Sequence, residues 1–113
     1  MNERWKTVRR LLAVRLDSLG DVLMTTPALR AFRQSLGCHV TLLTSACGAA
    51  AARFVPEVDE SIAFAAPWMK VGRPDADLEI LETIRAGQFD AAAIFTVHSQ
   101  SALPAAYLCR LAG

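Results

Sequence analysis

The sequence predicts an α/β protein built on a doubly wound parallel sheet, and two observations carry that expectation. A strand-like apolar run followed by a helical apolar period recurs four times along the chain, which is the alternation that βα units produce. The first of these runs ends in Leu11, Leu12, Ala13 and Val14 with no polar residue between them. Such a run suits a central strand covered by helices on both faces.

The first strand is expected over residues 8–14. After it, Val22, Leu29, Phe32 and Leu36 fall on one helical face, Arg30, Arg33 and Gln34 fall on another, and Gly37 supplies a stop. Pro27 lacks an amide proton and clashes with the carbonyl four residues back. The helix therefore either starts with Thr26 as cap and Pro27 first, or starts at Gly20 and kinks. The second unit is a strand over 39–44 and an alanine-rich helix over 48–54, whose small side chains allow close packing on the sheet. The third is a strand over 61–64 and a helix over 76–86, with Leu78, Leu81 and Ile84 inward, Glu79 and Glu82 outward, and Asp75 and Asp77 in the first turn, where the helix dipole favours negative charge. The fourth is a strand over 91–96, expected at a sheet edge, and a helix over 102–111. Residues 65–74, with PWMKVGRP, are long enough to be a binding element.

Composition narrows the function classes. At 113 residues, 53% hydrophobic, 20% charged and a net charge of +1, residues 1–113 read as a single soluble domain with a substantial core rather than a disordered chain. No window approaches the ~18 apolar residues of a membrane span, and MNERWKTVRR lacks the pattern of a signal peptide; a cytoplasmic location is expected. Cys38, Cys47 and Cys109 show no CxxC spacing, so neither a disulfide framework nor a zinc site is indicated, and the thiols are expected to be reduced and mostly packed. Balanced charge argues against a nucleic-acid partner. Arg4, Lys6, Arg9 and Arg10 around Trp5 form either a solvated lead-in or a contact with an anionic membrane surface.

In an open α/β sheet, ligands bind beyond the carboxyl ends of the strands. The loops there present Asp17, Ser18, Asp21, Ser45, Lys70, Arg73, His98, Ser99 and Gln100. The first loop has only Gly20, so it is neither a dinucleotide fingerprint nor a P-loop. Asp21 is either a general base accepting a proton from an attacking hydroxyl or the cap of a helix. Asp17 suits an Asx-type turn. His98 is an alternative base, an anion holder or a plain loop residue. Lys70 and Arg73 meet phosphate or carboxylate groups, or only solvent. Neither histidine has the neighbours of a metal site, and no metal is expected.

RLDSLGDVLMTTPALRAFRQSL resembles the opening of the family 9 glycosyltransferases, the lipopolysaccharide heptosyltransferase group, with Ser18, Gly20, Asp21, Val22, Pro27, Ala28, Leu29, Arg30 and Ala31 in place. QFDAAAIFTVHSQSALPAAYLCRLAG resembles a later segment of the same family. The resemblance implies a GT-B enzyme, two Rossmann-like domains facing across a cleft, of which this chain is the N-terminal, acceptor-side half. It implies metal-independent, inverting transfer from a nucleotide-diphosphate sugar of the ADP-heptose type to a lipopolysaccharide-core or other cell-envelope glycan, at the inner face of the cytoplasmic membrane. No cofactor is implied, since the nucleotide sugar is a substrate. Asp21 becomes the base, Ser18 and Gly20 line the reacting end of the donor sugar, and Lys70, Arg73, His98, Ser99 and Gln100 are left to bind substrate. The second, nucleotide-sugar domain is absent from these residues, so the chain alone is expected to be inactive. Two other readings are a non-catalytic Rossmann-like binding module and a single-domain flavodoxin-like or receiver-like protein; the latter lacks an acidic cluster after strand one and a fifth strand.

Overall fold

The computed structural model describes residues 7–16, 19–64, 74–96 and 102–113. Along the chain these form β1 (Arg10–Arg15), α1 (Leu19–Met24), α2 (Thr26–Leu36), β2 (His39–Thr44), α3 (Ala46–Ala52), β3 (Glu60–Ala63), α4 (Pro74–Gly87), β4 (Ala91–Ile94) and α5 (Leu103–Ala112). The strands make one parallel sheet in the order β3-β2-β1-β4, as expected of a Rossmann-like α/β fold, with β4 at an edge.

β1 runs buried from Leu11 to Arg15 because both its faces are covered. Leu11 and Ala13 face one layer with Val40 and Leu42, where Val22 of α1, Leu29 of α2 and Ala51 and Ala52 of α3 complete the core. Leu12 and Val14 face the other with Leu43, against Ile80 and Ile84 of α4 and Ala105 and Leu108 of α5. The alternation is invisible in the sequence because both faces demand apolar side chains.

Several boundaries differ from the sequence expectation. The first helix is two helices rather than either alternative: α1 closes at Met24, and α2 opens with Pro27 in its first turn and Thr25, not Thr26, at the cap position. Thr25 does not cap with its side chain; its hydroxyl donates to the Val22 carbonyl at 2.6 Å. The missing amide of Pro27 is the reason the first helix cannot continue. α2 ends at Gly37, whose left-handed φ of 61° lets its amide reach the Arg33 carbonyl at 2.8 Å. α3 starts at Ala46, earlier than expected, because Ser45 caps it by accepting the Gly48 amide at 3.1 Å. Among the α4 side chains described, which begin at Glu79, Ile80 and Ile84 are buried while Leu81 is only partly covered; Leu78 lies outside them. The expectation had missed Ile80. Cys38 is buried, but Cys47 is exposed.

Two aspartates tie adjacent strands together at the end of the sheet where the strands begin. Asp59, just before β3, accepts the Val40 amide on Oδ2 at 2.8 Å and donates its own amide to the Val40 carbonyl at 2.9 Å. Asp90, just before β4, serves β1 in the same way, accepting the amides of Arg9 at 2.8 Å and Arg10 at 2.9 Å while donating to the Arg10 carbonyl. Arg33 adds an ion pair to Asp59 at 2.5 Å.

Burial pushes the Asp59 carboxyl up, yet the Arg33 guanidinium and the Val40 amide outweigh it and hold the group below its ordinary value. The two backbone amides hold Asp90 low as well. A carboxylate depressed in the folded state adds stability above its unfolded value of about 3.9, and that stability is lost as pH falls through the lower folded value. The melting temperature should therefore fall as pH drops below about 4, and the Asp59→Asn, Asp90→Asn double variant should melt with a flatter acid dependence. An unchanged acid slope would assign the effect to other carboxylates.

Candidate functional site

From β1 the chain proceeds outward to β2 and then β3, and the next connection returns past β1 to β4. The winding direction thus reverses between β1 and β4, and a crevice opens at the carboxyl ends of strands flanking such a switch point. α1 begins four residues after β1 ends, which places Gly20 and Asp21 on this rim.

Three contacts fix α1 there. Arg15, the last residue of β1, is buried, and its Nη2 lies 3.3 Å from Asp21 Oδ1, the two side chains being 10% and 35% exposed. Val22 is fully buried and inserts toward Gly48 and Thr44. Thr44 is the register partner of Arg15 across β1 and β2, so α1 lies over the ends of both strands. Gly48 permits this: a Cβ there would collide with the Thr44 hydroxyl and sit 2.9 Å from a Val22 methyl. At its other end, α1 is closed by the Thr25 hydroxyl on the Val22 carbonyl.

Gly20 is different. It is exposed, has no left-handed φ, and a Cβ added to it would meet nothing. Among the described residues, neither packing nor backbone conformation calls for glycine at this position. Asp21 stands beside it in the first turn of α1.

The structure brings Gly20 and Asp21 to the rim and shows Ser45 as the α3 cap. Ser18, Lys70, Arg73, His98, Ser99 and Gln100 lie outside the described residues, as does Asp17. Sequence reasoning missed Arg15 as a site residue. A signal was present, since an arginine closing a strand buried on both faces needs an anionic partner. A cavity of about 280 Å³ among Ile84, Phe89, Cys109 and Ala112 lies at the opposite end of β4 from this rim. No described helix is long and apolar enough to cross a membrane.

No family model matches the chain, and no curated protein matches it. Among solved structures it is similar to the crystal structure of a glycosyl transferase family 9 protein from Veillonella parvula DSM 2008, at 25% identity and a TM-score of 0.70 over 92% of this chain. It spans 29% of that protein's length.

Proposed function

We propose that this chain is the acceptor-side domain of a glycosyltransferase, with Asp21 as the general base that takes the proton from the attacking hydroxyl of a glycan acceptor. The observation that carries the proposal is the placement of a glycine and a carboxylate, side by side and partly open to solvent, on the rim at the switch point. The similarity to the family 9 structure supports the same reading.

Transfer then proceeds with inversion and without metal: the acceptor oxygen, losing its proton to Asp21, attacks the anomeric carbon as the nucleotide diphosphate departs. The donor, a nucleotide sugar of the ADP-heptose type, is held by a second domain that completes a GT-B enzyme. The acceptor is a lipopolysaccharide core or another cell-envelope glycan, met at the cytoplasmic face of the membrane. Ser18 joins Gly20 at the reacting end of the donor, and Lys70, Arg73, His98, Ser99 and Gln100 are assigned to substrate contacts.

Gly20 offers a direct test, because its Cβ space is open among the described residues. Gly20→Ala should leave the fold intact and raise stability by up to about 1 kcal/mol, since alanine is the better helix former. The same change should weaken substrate binding, because the added methyl occupies the space where a ligand approaches. Melting and calorimetric titration of the two proteins with acceptor glycan and nucleotide sugar would read both effects. Unaltered binding would remove Gly20 from the site.

The isolated 113-residue chain should show no turnover with an ADP-sugar donor and a glycan acceptor, because a base without a bound donor cannot drive transfer. Product formation by the purified chain would overturn the division of labour between two domains.

A further inference from the structure

We infer that Arg15 is a positioning residue for Asp21, one that orients the carboxylate and keeps it ionised on the acid side of neutrality; its bearing on catalysis rests on the reading of Asp21 as the base. A guanidinium keeps its charge under ordinary conditions. Buried at the end of β1, with its side chain only 10% exposed, that of Arg15 is costly unless an anion compensates it. Asp21 Oδ1 stands 3.3 Å from Nη2, and an adjacent cation favours the charged form of a carboxyl group.

Among the described residues, the elements packed around α1 bring little else of charge toward it. α3 contains no charged residue, and its one titratable group is the exposed Cys47. On α2, Arg30 faces Glu57 and Arg33 faces Asp59. In β2, His39 stands at the start of the strand, opposite the rim. The ion pair crosses from strand to helix, so Arg15 also limits how the Asp21 side chain can rotate. A base held in one orientation presents its lone pair to the acceptor hydroxyl without a search.

The chemistry requires Asp21 to be deprotonated before the acceptor arrives. With Arg15 in place, that condition holds to lower pH, and the acid limb of turnover follows the same group. Loss of Arg15 moves the limb toward neutrality, because the half-covered carboxyl then lacks the cation 3.3 Å from it.

The test is a carbon-detected NMR titration of the full chain labelled at aspartate, with the Asp21 resonance assigned by its loss in Asp21→Asn. Wild type should titrate below the ordinary value of about 3.9. Arg15→Met should raise the Asp21 pKa by about one unit, and Arg15→Lys, which restores a cation, should return most of that shift. A wild-type value at or above the ordinary one, or an Arg15→Met titration that does not move, overturns the inference. Should Arg15→Met fail to fold, the wild-type value and the Lys variant decide it. An arginine with a merely structural role would lower the melting temperature and leave the titration in place. The readout needs no turnover, so it stands or falls apart from the base assignment, which Asp21→Asn tests in the active enzyme.

Discussion

Asp21→Asn, introduced into a transferase completed by its donor-binding domain, is expected to lower kcat by about 10²–10⁴-fold, the usual contribution of a positioned general base. That loss corresponds to about 3–5 kcal/mol of transition-state stabilisation. Asparagine keeps the shape of the side chain and can still accept hydrogen bonds, but it has no basic oxygen. Substrate affinity should therefore change far less than turnover, because an interaction made only as the proton moves does not appear in the ground state. Removing the charge also costs the buried Arg15 its ion pair with Asp21, so a modest drop in melting temperature should accompany the kinetic loss. A variant that keeps its rate would make Asp21 a structural residue of the first turn of α1, and the chain would then be better read as a binding module.

Gly48→Ala should destabilise the fold by about 2 kcal/mol, although alanine normally strengthens a helix. The propensity gain is about 1 kcal/mol; overpacking a closed site costs about 1–3 kcal/mol and reaches the upper part of that range when the neighbours cannot yield. Here they cannot. The new methyl would collide with Thr44, a fully buried β-branched residue at the carboxyl end of an interior strand, and press on Val22, which is equally buried. A β-branched side chain has little rotamer freedom with which to escape.

Thr44→Ala supplies the control. The Thr44 hydroxyl is buried without a hydrogen-bond partner among the described residues, so deleting it removes an unsatisfied group along with the clash. The Gly48→Ala, Thr44→Ala double variant should be more stable than the sum of the single effects predicts, and the excess is the coupling between the sites. Urea unfolding of the four proteins completes the cycle. Additive behaviour would mean that α3 approaches β2 less closely than the geometry shows. In the active enzyme Gly48→Ala should also reduce turnover, because α1 carries Asp21 and displacement by about 1 Å is enough to cost about 10²-fold.

The order of elements, the central place of the Leu11–Val14 run and the stop at Gly37 could be read from the chain, since each depends on residues close in sequence. So could the end of the sheet on which Gly20 and Asp21 stand, because a loop that follows a strand of a parallel sheet has only one rim to occupy. Other features could not. The break between α1 and α2 was narrowed to two alternatives by Pro27, and the structure took neither in full. The inward face of α4 was misread at Ile80, because which flank of the helix meets the sheet depends on how the helix rolls against α5 and β1.

The partnerships of Asp59 with Val40 and Arg33, of Asp90 with Arg9 and Arg10, and of Arg15 with Asp21 were likewise decided by tertiary structure. So was the requirement for glycine at position 48, which one-dimensional reading saw only as one more small residue in an alanine-rich helix. Local sequence determines period, stop signals and the direction of a rim, because hydrogen bonding and sterics within a few residues govern them. Which charge meets which, and where two helices touch, depends on strand order and register, and those are settled only when apolar surfaces from distant parts of the chain are buried together.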